Sequence, residues 1–194
     1  MFTEIILASA SPRRRHLLTT MGVRFRVYPA DVDEDHAVTC PEQLVRDNAR
    51  LKAKWVADRE PEGLVLGADT TVALEDVILN KPKDMEDAVC MLEQLSGQTH
   101  VVYTAICFVA RSVELIEQHV VSSQVTFKTL SHARIQQYFS IVNPLDKAGA
   151  YGIQKGKELI IESLAGSLNN VMGLPTEYLG SIFTEKGWWD RLRT

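Results

Sequence analysis

The polar and apolar positions of this chain switch between a period near two and a period near 3.6 from its first residues onward. "EIILAS" (residues 4–9) is a short apolar run of the kind buried strands show, and "SPRRRHLLTTMG" (11–22) follows it with helix punctuation. Ser11 stands as N-cap, Pro12 at the first helical position and Gly22 after the last turn, with Leu17, Leu18 and Met21 facing the core. "RFRVYPA" alternates strictly and predicts a second strand. Past the acidic loop "DVDEDHAVT", Pro41 to Asp58 read as a long amphipathic helix with Leu44, Val45, Leu51, Trp55 and Val56 turned inward. "LVLGAD" is a further buried strand closed by Asp69, and "TVALEDVILNKP" is a hairpin turning at Glu75-Asp76. Asp84 caps a helix over "DMEDAVCMLEQLS" that Gly97 stops.

From Thr99 to Lys128 the β-branched and aromatic content predicts two long antiparallel strands, parted near Arg111-Ser112. A helix capped by Ser131, the glycine-rich loop "DKAGAYGIQKGK", a strand over "ELIIESLAG" and a last helix from about Pro175 to Lys186 complete the series. Trp188 and Trp189 imply that the tail after Gly187, the one stretch whose composition allows disorder, docks on the body. Alternation of this kind specifies an α/β protein.

Composition narrows the partner more than the fold. With 194 residues and 45% hydrophobic content the chain buries a sizeable core, and it reads as one domain over 1–194, in two lobes. A net charge of -4 argues against a general nucleic-acid binder, so positive charge for an anionic partner must be gathered locally. No apolar stretch approaches the roughly 20 residues of a membrane span, and the run Ile5 to Ala8 is too short for a signal peptide. Cys40, Cys90 and Cys107 are odd in number and form no CxxC pair, which predicts reduced thiols in a cytoplasmic protein and no structural zinc site.

The local gathering of charge is found where the first strand turns into the first helix. Small residues there leave backbone N–H groups free at a helix start, Ser9 and Ser11 add hydroxyls, and Arg13 and Arg14 add planar forks suited to phosphate oxygens. The alternative is that the arginines point into water. Asp69, beside Thr70 and Thr71, is placed either to hold a divalent cation or activate water, or to serve as a turn residue. Glu34, Lys52 and Lys81 complete a candidate set of charges whose members are individually ordinary surface groups. Lys52 lies at the border of the buried helix face, and Pro82 biases Lys81 to an extended conformation. Gly149, Gly152 and Gln154 supply a close backbone approach and an amide able to read a base edge, or simply a turn. Asn169, Asn170 and Gly173 carry the same two readings. His16, His36, His100, His119 and His132 never fall at metal-ligand spacing. No GxSxG, Walker or GxGxxG motif occurs.

"LASASPRRRHLL", "DVDE", "GADTTV", "NKP", "LSGQTHVVYTAI", "DKAGAYGIQ" and "GSLNNVMGLP" together resemble, in order and spacing over nearly the whole chain, the Maf family of septum-formation-inhibitor-like nucleotide pyrophosphatases. The resemblance implies an ITPase-like fold, in which a mixed curved sheet with flanking helices separates two lobes around a central cleft. It implies hydrolysis of a nucleoside triphosphate to monophosphate and pyrophosphate with Mg²⁺ or Mn²⁺, and a homodimer. By the same resemblance Ser9, Arg13 and Arg14 fall on phosphate-binding positions, and Glu34 and Asp69 on the acidic ones that hold metal. Lys52 and Lys81 fall on the basic positions, Asp69 on the proton acceptor, and Arg13, Thr70 and Gln154 on positions tied to substrate choice. "KAGAYGIQ" resembles the branch acting on dTTP and UTP rather than the one acting on 7-methyl-GTP. Thr71, Ala73 and Leu168 depart from the usual residues. The competing expectations are a nucleotide- or nucleic-acid-binding regulator of septum formation without catalysis, and a pyrophosphatase acting on a modified purine triphosphate such as 7-methyl-GTP.

Overall fold

The computed structural model describes residues 2–34 and 38–193, so residues 35–37 of the acidic loop, His36 among them, lie outside the described residues. In chain order the elements are β1 (Ile5–Leu7), α1 (Pro12–Thr20), β2 (Phe25–Val27), α2 (Pro41–Ala57), β3 (Leu64–Leu74), β4 (Val77–Leu79), α3 (Met85–Leu95) and β5 (Thr99–Ala110). There follow β6 (Leu115–Phe127), α4 (His132–Phe139), α5 (Lys157–Ile160), β7 (Ile161–Ala165), α6 (Leu168–Val171), α7 (Thr176–Glu185) and α8 (Trp189–Leu192). The strands form one mixed seven-stranded sheet in the order β2-β1-β3-β5-β6-β7, with β4 paired to β3 off that path. β1 runs parallel to β2 and β3, and the remaining pairings are antiparallel.

Side-chain alternation along the sheet sorts the core into bodies. On one face Leu7, Leu66, Ile106 and Phe108 pack against Leu17 and Leu18 of α1 and Phe183 of α7. On the other, Val65, Ala105, Cys107 and Val109 meet Val45, Ala49, Ala53 and Val56 of α2. The far halves of β3, β5 and β6 bring Val72, Val102, Val125 and Phe127 to a third core with α3 and α4. Between these apolar bodies the same strands carry Asp69, Thr70, Thr104 and Ser123, three of them buried. A shared sheet with polar residues at the junction of its two halves is what positions the site.

Close approach of α2 to β3 does the rest. A Cβ on Gly67 would stand 2.2 Å from the Ala49 carbonyl oxygen, so the helix rests directly on the strand there, opposite the small Ala49 and Ala53. One helical turn then separates Ala49 from Lys52, and two residues separate Gly67 from Asp69, which brings the two side chains to the same spot.

Several boundaries differ from the sequence pattern. Asp69 does not close a strand: β3 continues through it to Leu74, because Asp69 pairs with Ala105 and Thr70 with Thr104 in an unbroken ladder. Leu51 is 40% exposed rather than inward, since the buried rows of α2 run Leu44-Asn48-Lys52-Val56 and Val45-Ala49-Ala53-Ala57 and leave it a quarter turn away. "ELII" begins as the single turn α5 before β7 starts at Ile161, and "LNNV" forms α6, capped by the Ser167 hydroxyl accepting from the Asn170 N–H. The tail does dock. Trp188 meets Phe2, Phe108 and Phe183, Leu192 is buried, and Arg193 bridges to Val23.

His100 is a fully buried titratable group away from the junction. Its Nε2 pairs with the Tyr151 hydroxyl at 2.7 Å among the rings of Phe127 and Tyr151, and burial pushes its pKa down from 6.5 to about 4. The unfolded chain therefore takes up a proton near pH 6.5 that the folded chain refuses until about pH 4, so stability falls as pH drops through that window. The gap corresponds to at most about 3 kcal/mol. Urea unfolding at pH 7 and pH 4.5 should show a smaller loss for His100→Phe than for the native chain; equal losses would remove His100 from the acid response.

Candidate active site

The centre of the junction is an acid–ammonium–acid triad. Lys52 Nζ, on α2, donates to Asp69 Oδ1 at 2.7 Å and lies 2.9 Å from Glu34 Oε1. Lys52 and Asp69 are nearly buried, whereas Glu34 retains about a third of its side-chain surface, 36%. Desolvation dominates at Asp69 and raises its pKa, assisted by Glu34 and opposed by Lys52 and Arg14. Desolvation also acts on Glu34, but Lys52, Lys81 and Arg14 together outweigh it and hold that carboxyl below its ordinary value. Two neighbouring carboxyls pushed in opposite directions form a set in which the one with the raised pKa is suited to take up a proton.

Beside the triad lies a cation held only by neutral groups. The Arg14 guanidinium donates from Nε to the Gly173 carbonyl at 2.8 Å, from Nη1 to Ser9 Oγ at 3.0 Å and from Nη2 to Thr70 Oγ1 at 3.1 Å. Burial lowers its pKa, offset in part by Asp69 and again by Glu34 while Arg13 adds to the lowering, and an arginine remains charged under any such shift. Three of its five N–H groups are used in this way, which leaves two for an oxyanion. Ser9 Oγ accepts from Arg14 and from the Ser11 N–H, so its own proton is free to point at a ligand. Ser11 itself caps α1 by accepting from the Arg14 N–H.

The remaining candidates spread around this centre. Arg13 pairs with Asp146 at 3.2 Å, an ion pair that ties α1 to the start of the loop over residues 146–157. Lys81 is exposed after β4, near enough to Glu34 for its charge to act on that carboxyl. Gln154 is exposed, and among the described residues no hydrogen bond joins it to the triad or to Arg14. Its loop is anchored, however: Tyr138 Oη bonds both the N–H and the carbonyl of Gly152 at 2.9 Å, and Tyr151 is held by His100. Asp146 and Thr104 were not singled out by the sequence. Nothing in a β-branched run marks one threonine as polar contact until strand register is known.

A family profile described as Maf-like protein matches residues 4–186. The chain belongs to the Maf-like family. Among curated relatives, a Thermotoga petrophila protein named dTTP/UTP pyrophosphatase is 44% identical over 188 residues, covering 96% of this chain and 91% of that one. A Myxococcus xanthus protein of the same name is 48% identical over 174 residues, covering 89% and 87%. In this Maf-like chain the resemblance-implied positions form one group of two hydrogen-bonded sets, Ser9–Arg14–Thr70 and Glu34–Lys52–Asp69, which adjoin where Asp69 and Thr70 follow each other on β3 and where the Arg14 charge acts on both carboxyls. Arg13 and Lys81 stand at its border and Gln154 apart from it.

The donor set fits a hard divalent cation. Among the described residues no three His, Cys, Asp or Glu side chains are grouped to hold a metal, but Asp69 and Glu34 each give one oxygen to Lys52 and keep Oδ2 and Oε2. Mg²⁺ and Mn²⁺ are commonly held by one or two carboxylates, with water and substrate phosphates completing the shell.

Proposed function

We propose that this Maf-like protein hydrolyses dTTP and UTP to the monophosphate and pyrophosphate. The observation that carries the reading is the Asp69–Lys52–Glu34 triad, its Asp69–Lys52 pair buried, beside an arginine whose hydrogen-bond partners are all uncharged. A half-buried arginine whose hydrogen-bond partners are all neutral keeps its charge for an anion, and a triphosphate supplies about four negative charges. Arg14, with the Ser9 hydroxyl, binds phosphate oxygens, and Arg13 and Lys81 meet the same tail from the rim. Asp69 orients water and takes its proton as the α–β anhydride opens and the bridging oxygen leaves with pyrophosphate. Glu34 and Asp69 would hold Mg²⁺ or Mn²⁺, which when bound neutralises charge on the phosphate oxygens and acidifies water. Thr70 and Gln154, with Arg13, are assigned to substrate choice, and the names of the relatives favour the pyrimidine branch.

The same reading takes the chain as one bilobed domain, since all its strands share one sheet, and as a cytoplasmic homodimer. Three free cysteines support a reducing compartment, and among the described residues no helix is long and apolar enough to cross a membrane.

Lys52 has a role with a defined sign. Its charge lowers the pKa of Asp69, so Lys52→Met leaves that carboxyl protonated to higher pH. The acidic limb of kcat/KM should move up by about 1 to 3 pH units. A limb that stays in place or moves down would contradict Asp69 as the base. The whole reading is tested by pyrophosphate release from a panel of canonical and modified triphosphates, with Mg²⁺ and with Mn²⁺. Release from dTTP and UTP above the purines is expected; no release from any nucleotide would leave a binding protein instead.

A further inference from the structure

Donor counting across the polar junction assigns a direction to the hydroxyl protons of Thr70 and Thr104. Thr104 Oγ1 lies 2.9 Å from the Asn170 carbonyl, which has no proton to give, so Thr104 donates. Its one hydroxyl proton is then spent. In the 3.0 Å contact between Thr70 Oγ1 and Thr104 Oγ1, Thr70 must therefore be the donor. Thr70 in turn accepts from Arg14 Nη2. The order is Arg14 to Thr70 to Thr104 to the Asn170 carbonyl, and Thr70 has no proton left to offer a ligand.

The chain closes on itself. The Asn170 carbonyl also accepts from the Gly173 N–H at 2.9 Å, and the Gly173 carbonyl accepts Arg14 Nε at 2.8 Å. Both ends of the guanidinium thus hang from one turn. Gly173 makes this possible: at φ +103° it adopts a conformation that side chains rarely take, and a Cβ there would lie 3.3 Å from Thr70 Oγ1 and 3.6 Å from Arg14 Nε. The turn is itself pinned, because Asn170 Nδ2 donates to the Val102 carbonyl at 3.1 Å and to Ser123 Oγ at 3.0 Å. Thr104 and Asn170 are completely buried, out of reach of any ligand.

We propose that Thr104 is a positioning residue: it orients the Thr70 hydroxyl so that Thr70 presents a lone pair to Arg14 and fixes the plane in which the guanidinium meets phosphate. Any influence of Thr70 on substrate choice then passes through Arg14 rather than through a hydrogen bond donated to the base. The inference rests on the reading of Arg14 as a phosphate ligand. Its test has two readouts, kcat/KM for dTTP and calorimetric binding of inorganic pyrophosphate, which needs no turnover.

Thr104→Val keeps the shape and removes the relay; it should lower kcat/KM and weaken pyrophosphate binding by about tenfold each, the upper range for the loss of one hydrogen bond between neutral groups. Thr104→Ser, which keeps the hydroxyl, should restore both to within about twofold. Thr70→Val breaks the same chain from the other side, so the double variant should be no worse than Thr70→Val alone. A merely structural role predicts lower melting temperature with losses that multiply. Native-like binding and kinetics in Thr104→Val, or multiplying losses in the double variant, would overturn the proposal. If the native protein binds pyrophosphate and releases none from any triphosphate, the catalytic reading fails and the relay is judged on binding alone. Should Thr104→Val not fold, the Thr70→Val and Thr104→Ser pair decides: the relay requires loss in the first and retention in the second.

Discussion

Asp69→Asn is expected to cut turnover of dTTP and UTP by at least about a thousandfold while the melting temperature changes by only a few degrees. The amide has the shape of the carboxyl but can neither accept a proton nor carry charge. Its position inside β3, paired with Ala105 and pressed upon by α2, holds it where the carboxyl was. Two stability effects oppose each other. Burial already disfavours the charged carboxylate, so losing that charge removes a desolvation cost; Lys52 in turn keeps Glu34 at 2.9 Å and an amide oxygen as acceptor in place of Asp69 Oδ1, but loses the counter-charge there. Steady-state pyrophosphate release and a thermal melt on the same sample check both halves. Turnover within tenfold of the native rate would mean that another group takes the proton.

Arg14→Met is expected to lower kcat/KM by about a hundredfold to a thousandfold, the range found when a donor to developing negative charge is removed. The physical reason is the neutrality of its surroundings: Ser9, Thr70 and the Gly173 carbonyl satisfy its geometry without cancelling its charge. That charge is therefore available to phosphate, and its removal takes a half-buried cation with no hydrogen-bonded counter-charge out of the folded protein. The melting temperature should hold or rise while activity collapses. Arg14→Lys should recover little, since one ammonium cannot span three acceptors set around a planar fork. A fall in melting temperature that parallels the loss of activity would instead assign Arg14 to structure.

Much of the fold was legible because its punctuation is local. Ser11, Asp84 and Ser131 each accept the N–H three residues on, as caps do. The hairpin turns at Glu75-Asp76 and the long strands part at Arg111–Val113, where turn chemistry interrupts β-branched runs. The pattern failed where tertiary contact overrides it. A polar Asp-Thr-Thr reads as the end of a strand, yet β3 runs straight through, because Lys52 of α2 on one face satisfies Asp69 and Arg14 on the other satisfies Thr70. Leu51 is apolar but falls outside both buried rows of its helix. α6 was hidden because four residues carry too little periodicity to show a helix.

What the residues by themselves determined was the inventory: an alternating α/β order, the caps and turns, and a phosphate-suited supply of Ser9, Arg13, Arg14, Lys52, Lys81 and two acids in an otherwise acidic chain. What only the tertiary structure decided was who meets whom. Lys52 lies between Glu34 and Asp69 rather than opposite them, Arg14 is held by Gly173 159 positions away, and Thr104 stands behind Thr70 because β3 and β5 pair in one register and no other. Caps and turns are set by bonds spanning a few residues, which order in the chain already specifies. The direction of a hydroxyl proton or the pKa of a carboxyl depends on neighbours that only packing and strand register bring within 3 Å, and these no local pattern encodes.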